Sequence, residues 1–171
     1  MLCRLQSIAC MLEIRKAMPE DFDQIWLIIK EVISKGDVFT FHPNTSKETM
    51  LNYWCGQDKH TYVAIDNDMV AGSFIIKDNQ PGLGSHIANA AYIVSEKVSG
   101  QGVGKSMGAF SLEEAKRLGY LAMQFNIVVK SNSRAVRLWQ NLGFDIIGEI
   151  PDAFNHQENG LTNAFIMYRK L

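Results

Sequence analysis

The order of apolar patterns along the chain, β-α-α-β-β-β-α-β-α-β-β, predicts a mixed α/β fold in one domain, a central sheet flanked by about four helices. Three observations carry this. Strand-like segments follow one another without a helix between His60 and Val94. A glycine-rich loop, Ser99–Ser106, opens a long helical pattern. A nearly continuous apolar run, Leu121–Val129, separates that helix from another.

The elements follow in order. "LEIRKA" (Leu12–Ala17) alternates apolar and polar residues and reads as a strand. Pro19 suits a first helical turn, and the acids beside it complement the N-terminal dipole. Phe22, Ile25, Trp26, Ile29 and Ile33 then recur at helical spacing. "SKGDVFTFHPNTS" is a loop, and Ser46 opens a short second helix, "SKETMLNYWCG". "HTYVAID" and "MVAGSFIIKD" form a hairpin around Asp66–Asp68, and "HIANAAYIV" (His86–Val94) is the next strand. The helix opened by the glycine loop runs to Leu118, with Val103, Met107, Ala115 and Leu118 inward and Gly119 as its cap. "LAMQFNIVV" has the pattern of a strand buried on both faces. Ser131 or Asn132 caps the last helix, whose inner face is Ala135, Leu138, Trp139 and Leu142, and Gly143 ends it. "DIIGEI" and "NAFIMYRKL" are the final strands.

Composition narrows the function classes. The chain has 171 residues, enough to bury a core without disulfides or metal. Its net charge is −1 with acids and bases interspersed, which gives no basic stripe for nucleic acid. Cys3, Cys10 and Cys55 match no zinc or redox spacing, as in a reduced cytoplasmic protein. The histidines, His42, His60, His86 and His156, do not pair at metal-ligand spacing. No apolar run reaches the ~18 residues of a membrane span. The start "MLCRLQSIAC" is too weakly patterned for a signal peptide, so residues 1–10 are expected to be an extension outside a domain of residues 11–171.

The loop "SGQGVGKS" ends in Gly-Lys-Ser like a nucleotide-triphosphate loop, but Ser99 stands where that pattern needs its first Gly. The loop also follows a hairpin and a third strand, and no later strand offers a magnesium-binding Asp. The dinucleotide pattern fails because its last Gly would fall on Lys105. Gly100, Gly102 and Gly104 leave the backbone bare, and a helix N-terminus follows at once with unpaired N–H donors and its dipole. Strand, bare loop and helix start together make a pyrophosphate cradle; the alternative is a turn without ligand.

Two segments resemble the GNAT superfamily of acyl-CoA-dependent N-acetyltransferases. "SGQGVG" is similar to the family's Q/R-x-x-G-x-G/A loop, with Ser99 in place of Gln or Arg. "NSRAVRLWQNLGF" supplies the family's Asn, Ala, aromatic and Leu-Gly-Phe as Asn132, Ala135, Trp139, Leu142, Gly143 and Phe144. The order of elements from Leu12 to Leu171 is also that of the family. The resemblance implies a sheet that splays between Ala88–Val94 and Met123–Val129, with acetyl-CoA in the split. It implies a pyrophosphate on Ser99, Gly100, Gln101, Gly102, Val103, Gly104, Lys105 and Ser106. It implies a pantetheine arm against Tyr92, Ile93 and Val94, with Asn132 and Trp139 also touching the cofactor.

The implied reaction is direct attack of a neutral amine on the thioester, with no metal. The family's usual acid is a Tyr where this chain has Trp139, whose indole does not titrate. Trp139 then either packs under the cofactor or helps hold it, and Asn132 is left to support the departing thiolate. "SHIANAAY", "MQFNIVVKSN" and "IPDAF" are similar to the branch that acetylates azetidine-2-carboxylate and related imino acids. That likeness casts Asn89 and Asn126 as acceptor-site amides, with Asn126 also in a catalytic, positioning role; structural bonds across the splay are the alternative. Phe39 and Phe41 in the Asp37–Asn44 loop, with Tyr53 and Trp54, are expected either to wall the acceptor pocket or to fold back on the domain. His86 is a weak candidate base. The expected partners are a small-molecule amine and a second copy of the chain, with no nucleic acid and no membrane. A protein or peptide acetyltransferase and a non-catalytic acyl-CoA-binding module are the competing readings.

Overall fold

The computed structural model describes residues 12–171; the expectation for residues 1–10, and Cys3 and Cys10 with it, lies outside the described residues. The elements are β1 (Glu13–Lys16), α1 (Phe22–Lys35), α2 (Lys47–Cys55), β2 (His60–Asp66), β3 (Met69–Asp78), β4 (Ile87–Val94), α3 (Val103–Arg117), β5 (Ala122–Val129), α4 (Ser133–Asn141), β6 (Asp145–His156) and β7 (Gly160–Lys170). They form the expected mixed α/β fold, a seven-stranded sheet in the order β1-β2-β3-β4-β5-β7-β6.

Neighbours in the sheet are antiparallel except β4 and β5. That parallel pair holds register only at Ile87↔Ala122 and Ala88↔Met123. Beyond Ala88 the two strands diverge, whereas the other edge of β4 stays paired to β3 as far as Gly72↔Val94. The sheet is therefore split from Asn89 onward.

Helices cover both faces. One core lies under α3 and α4 and includes Phe74, Met107, Leu112, Met123, Phe125 and Trp139. The other lies under α1 and α2 and includes Ile25, Ile29, Ile33, Trp54, Ile75 and Ile93. Trp54 fastens α2 to the sheet. Its fully buried indole N–H donates to Ser73 Oγ at 2.8 Å, and Ser73 donates on to the Tyr62 carbonyl at 2.7 Å, so no polar atom is stranded.

Local signals act as expected at several ends. Asn67 and Asp68 both take positive φ in a two-residue hairpin turn. Ser46 Oγ accepts from Thr49 N–H at 3.1 Å, and Asn132 Oδ1 accepts from Ala135 N–H at 3.0 Å.

Four details differ from the sequence expectation. In α1, Ile28 is buried and Trp26 only half-buried. In α4, Val136 reaches the core, while Ala135, Leu138 and Leu142 are half-buried beside it. β5 is not buried throughout, because Asn126 and Ile127 stand out of register against β7 and are exposed. β6 continues past Pro151 to His156 through an irregular stretch with Asp152 at φ 51. Proline breaks a central strand, but β6 is an edge strand, where a missing N–H costs little.

Candidate functional site

The split encloses a cavity of about 790 Å³ that takes walls from both faces of the sheet. β4 contributes Asn89 through Val94 along its unpaired edge. Burial assigns alternate residues to opposite faces: Tyr92 and Val94 pack with the α3–α4 core, Ala91 and Ile93 with the α1–α2 core.

The glycine loop forms one mouth. Gly100 and Gly102 have φ of 86° and 88°, a left-handed conformation that glycine adopts without steric cost. A Cβ built on Gly102 meets nothing within 4 Å, so the face above it is open. α3 starts at Val103 directly afterwards, with no side chain capping its first turn. A side chain at position 102 would fill this open face, and at φ 88° it would also strain the backbone.

Ser99, Gly100, Gly102, Val103, Gly104 and Lys105 line the cavity. Gln101 and Ser106 do not; the Gln101 amide turns back to the Lys97 carbonyl. Arg134 was not singled out in the sequence. Its Nη1 donates to Ser99 Oγ at 2.8 Å, and its guanidinium stands 4.0 Å from a Cβ position on Gly100. With Lys105 and Arg137 it gives this mouth a positive lining. Arg134 and Arg137 stand three apart in "NSRAVR", which places them on one side of α4. That spacing is the signal the sequence carries, and it lies off the apolar face of the helix.

Trp139 is a packing residue with one edge on the cavity. It is 8% exposed, its ring lies 4.7 Å from both Tyr92 and Phe125, and Gly108 of α3 leaves room for it. The Tyr92 hydroxyl points away from the split, donating to or accepting from Ser111 Oγ at 2.7 Å, and burial raises its pKa. Neither residue brings a titrating acid to the split near pH 7.

Two amides sit where the strands part. Asn89 Nδ2 donates across the gap to the Gln124 carbonyl at 2.9 Å, one residue beyond the last strand pair. Asn126 lies in a bulge of β5, where Asn126 and Ile127 together oppose one residue of β7. Bulges re-aim side chains, and here Asn126 faces the cavity. Asn126 Nδ2 donates to Asn79 Oδ1 at 2.8 Å, and its Oδ1 accepts from Gln124 Nε2 at 2.9 Å. Each amide spends one N–H on protein and keeps another.

The other mouth is aromatic and charged. Phe39 and Tyr53 line the cavity; Phe41 does not, but packs on Tyr53 at 4.7 Å and braces it. Lys77, missed in the sequence because it ends an apolar strand, holds its ammonium 5.3 Å from the Tyr53 ring centroid. Burial raises the Tyr53 pKa. Cys55 is half-buried, with its thiol pushed up to about 11, so it is not a nucleophile at neutral pH. His86 is exposed, bonded to the Leu83 carbonyl, and outside the cavity lining, which removes it as a base. Among the described residues, no group of three or more His, Cys, Asp or Glu side chains converges as a metal site. No helix among them is long and apolar enough to cross a membrane.

The sequence profile of the Acetyltransferase (GNAT) family matches residues 23–144, which include the glycine loop, both splayed strands and α4. The chain belongs to this family. A GCN5-related N-acetyltransferase from Kribbella flavida has 36% identity, a TM-score of 0.89, and coverage of 94% of this chain and 98% of its own. An N-acetyltransferase of Schizosaccharomyces pombe, aca1, is 39% identical over 96 residues, 56% of this chain and 46% of that protein. The match thus spans under half the length of that relative. A phosphinothricin acetyltransferase from Sinorhizobium meliloti, solved in complex with AcCoA, shares the fold at a TM-score of 0.83 and 20% identity, covering 94% of this chain and 88% of its own. In GNAT terms, the glycine loop with α3 and the Asn132 cap of α4 are the two family segments, and both face one cavity.

Proposed function

We propose that this GNAT protein transfers an acetyl group from acetyl-CoA to the amine of a small molecule, in a ternary complex. The observation that carries the reading is the parallel β4–β5 pair that parts after Ala88↔Met123, leaving an open strand edge beside an anion-binding loop. Bare N–H groups at Gly100–Gly104 and the start of α3 suit a pyrophosphate. Arg134 and Lys105 add charge beside it. The free edge of β4 suits a peptide-like arm, which binds as an added strand does. Asn132 spends its Oδ1 on the α4 cap and keeps its amide N–H groups for the cofactor arm and the departing sulfur.

Acetyl-CoA supplies an activated acyl group; the chain supplies position. A backbone N–H on the open edge of β4 stabilises the carbonyl oxygen as charge develops. An amine of pKa about 10 is mostly protonated at neutral pH, so it must lose a proton before attack. Trp139 cannot protonate the thiolate. A thiolate of pKa about 8.5 leaves with hydrogen-bond support alone.

The acceptor we infer is a compact amine carrying a carboxylate, such as an amino or imino acid. The spare N–H groups of Asn89 and Asn126 suit a carboxylate, and Lys77 adds a cation to the same cavity. A thiol-release assay over a panel of amino acids, imino acids, polyamines and lysine peptides tests this. Turnover of the small zwitterions is expected; turnover of peptides alone would reject the small-molecule acceptor.

A further inference from the structure

Asp37 follows the Gly36 cap of α1 and lines the cavity between the two faces. Its Oδ1 is the buried side-chain oxygen that finds no hydrogen-bond partner among the described residues. A carboxylate oxygen held from water without a donor is costly, so it calls for a donor from outside the chain: a ligand, an ion or an ordered water.

The nearby basic side chains have other partners. Lys35 is paired with Glu96, and Arg134 is bonded to Ser99. His156 turns Nδ1 to the backbone N–H groups of Glu158 and Asn159. A second cavity, about 710 Å³, lies between the end of α1, the start of α4 and the β6–β7 turn. The two cavities share Lys35, Asp37, Asn132 and Arg134, so Asp37 stands at their junction.

The position is built. Gly36 has φ 59°, and a Cβ there would lie 2.5 Å from the Gln157 side chain. The β6–β7 turn thus sits directly on Gly36, and Gln157 N–H reaches the Gly36 carbonyl at 3.4 Å. This contact roofs the loop that carries Asp37.

We propose that Asp37 anchors the acceptor's ammonium and takes its first proton. This rests on the acetyl-transfer reading above. The ammonium N–H is the donor that Oδ1 lacks. One proton passes from nitrogen to the Asp37 carboxylate, and the neutral amine attacks the acetyl carbon. The new C–N bond forms as the C–S bond breaks, and the sulfur leaves with the electron pair. The second nitrogen proton ends on sulfur, and Asp37 returns the first to water.

The test compares the wild type, Asp37→Asn and Asp37→Glu at pH 7 with two acceptors, L-proline and 4,4-difluoro-L-proline. Fluorination makes the second amine less basic with little change of shape. For Asp37→Asn, kcat/KM should fall about a hundredfold with L-proline but less than about threefold with the fluorinated acceptor. The KM for acetyl-CoA should not change, and Asp37→Glu should recover part of the loss. An equal fall with both acceptors, or no fall with either, would overturn the proposal. A calorimetric titration of pyrrolidinium chloride into CoA-saturated protein separates this from the transfer reading. About tenfold tighter binding to the wild type than to Asp37→Asn supports the anchor even if no acetyl group moves. Equal binding to both, or none, refutes the anchor even if acetyl transfer is robust.

Discussion

On the α3–α4 side of the split, the loop and helix residues that wall the cavity come from within two short stretches of chain, residues 98–105 and 132–141. On the α1–α2 side, Asp37, Phe39, Tyr53, Lys77 and Asn89 arrive from separate elements. The first side is held by local devices: positive-φ glycines, a helix start and an N-cap. The second is held by tertiary contacts: Trp54 on Ser73, Phe41 on Tyr53, Gln157 against Gly36. On the proposed reading, the first side would hold acetyl-CoA largely by backbone and the second an acceptor by side chains, so the acceptor side could change without disturbing the cradle.

Substitutions on the two sides should therefore fail in different assays. The largest effect is expected at Gly102. Gly102→Val fills the open face of the loop and forces a β-branched residue to φ 88°. CoA affinity by calorimetry should fall more than about a hundredfold, while the backbone strain costs about 1–2 kcal/mol of stability. Near wild-type affinity would break the assignment of the cofactor to this side.

Asn126→Ala should act on the acceptor side. It removes the cavity-facing amide of the β5 bulge and its bonds to Asn79 and Gln124. Acceptor kcat/KM should fall about a hundredfold, as misplacement of a reacting group can cost. Steady-state kinetics should show the KM for acetyl-CoA nearly unchanged; a matching rise in that KM would mean that the bulge serves both sides.

The α3–α4 side, proposed to hold the cofactor, is legible in the sequence because its determinants are local. A glycine needed for φ above zero and an Asn one turn before an apolar face leave their mark in adjacent residues. Gly102, Asn132 and Trp139 accordingly stand out in the sequence, and all three line one cavity. The acceptor side was legible only in part. Asn89 and Asn126 were singled out, but the bulge that aims Asn126 depends on pairing with β7 and has no local signature. Lys77 and Asp37 looked like a strand end and a loop acid, and only the fold shows that they meet one cavity. Pro151 misplaced the end of β6 because an edge strand tolerates what a central one does not.

A smaller effect is expected at Trp139, which touches the cofactor side but packs within the core. Trp139→Phe should change kcat by about tenfold or less, equivalent to about 1.4 kcal/mol. Its cost should appear as weaker CoA binding. Abolished kcat with intact CoA affinity and folding would make the indole N–H essential to the transition state.

The smallest effect on activity is expected from Glu114, which serves neither side. It accepts from Arg117 and from the Tyr62 hydroxyl, and the Arg117 bonds hold its pKa down to about 2. A depressed carboxylate pKa stabilises the fold above the unfolded value of 4.5, and that contribution fades as pH falls toward 2. Solvent around the exposed Arg117 screens the pair and keeps that contribution small. Urea melts of the wild type and Glu114→Gln should differ at pH 7 and converge near pH 2, with kcat alike at pH 7. A difference that persists undiminished at pH 2 would place the effect in packing.

The most direct measurement is acetyl transfer itself, following free CoA thiol and acetylated product by mass spectrometry as each amine of the panel is added to protein and acetyl-CoA. The account predicts equal amounts of thiol and N-acetyl product with a small amino or imino acid, lost in Asn126→Ala while CoA binding persists. Tight acetyl-CoA binding with no N-acetyl product from any amine would contradict it and leave an acyl-CoA-binding module.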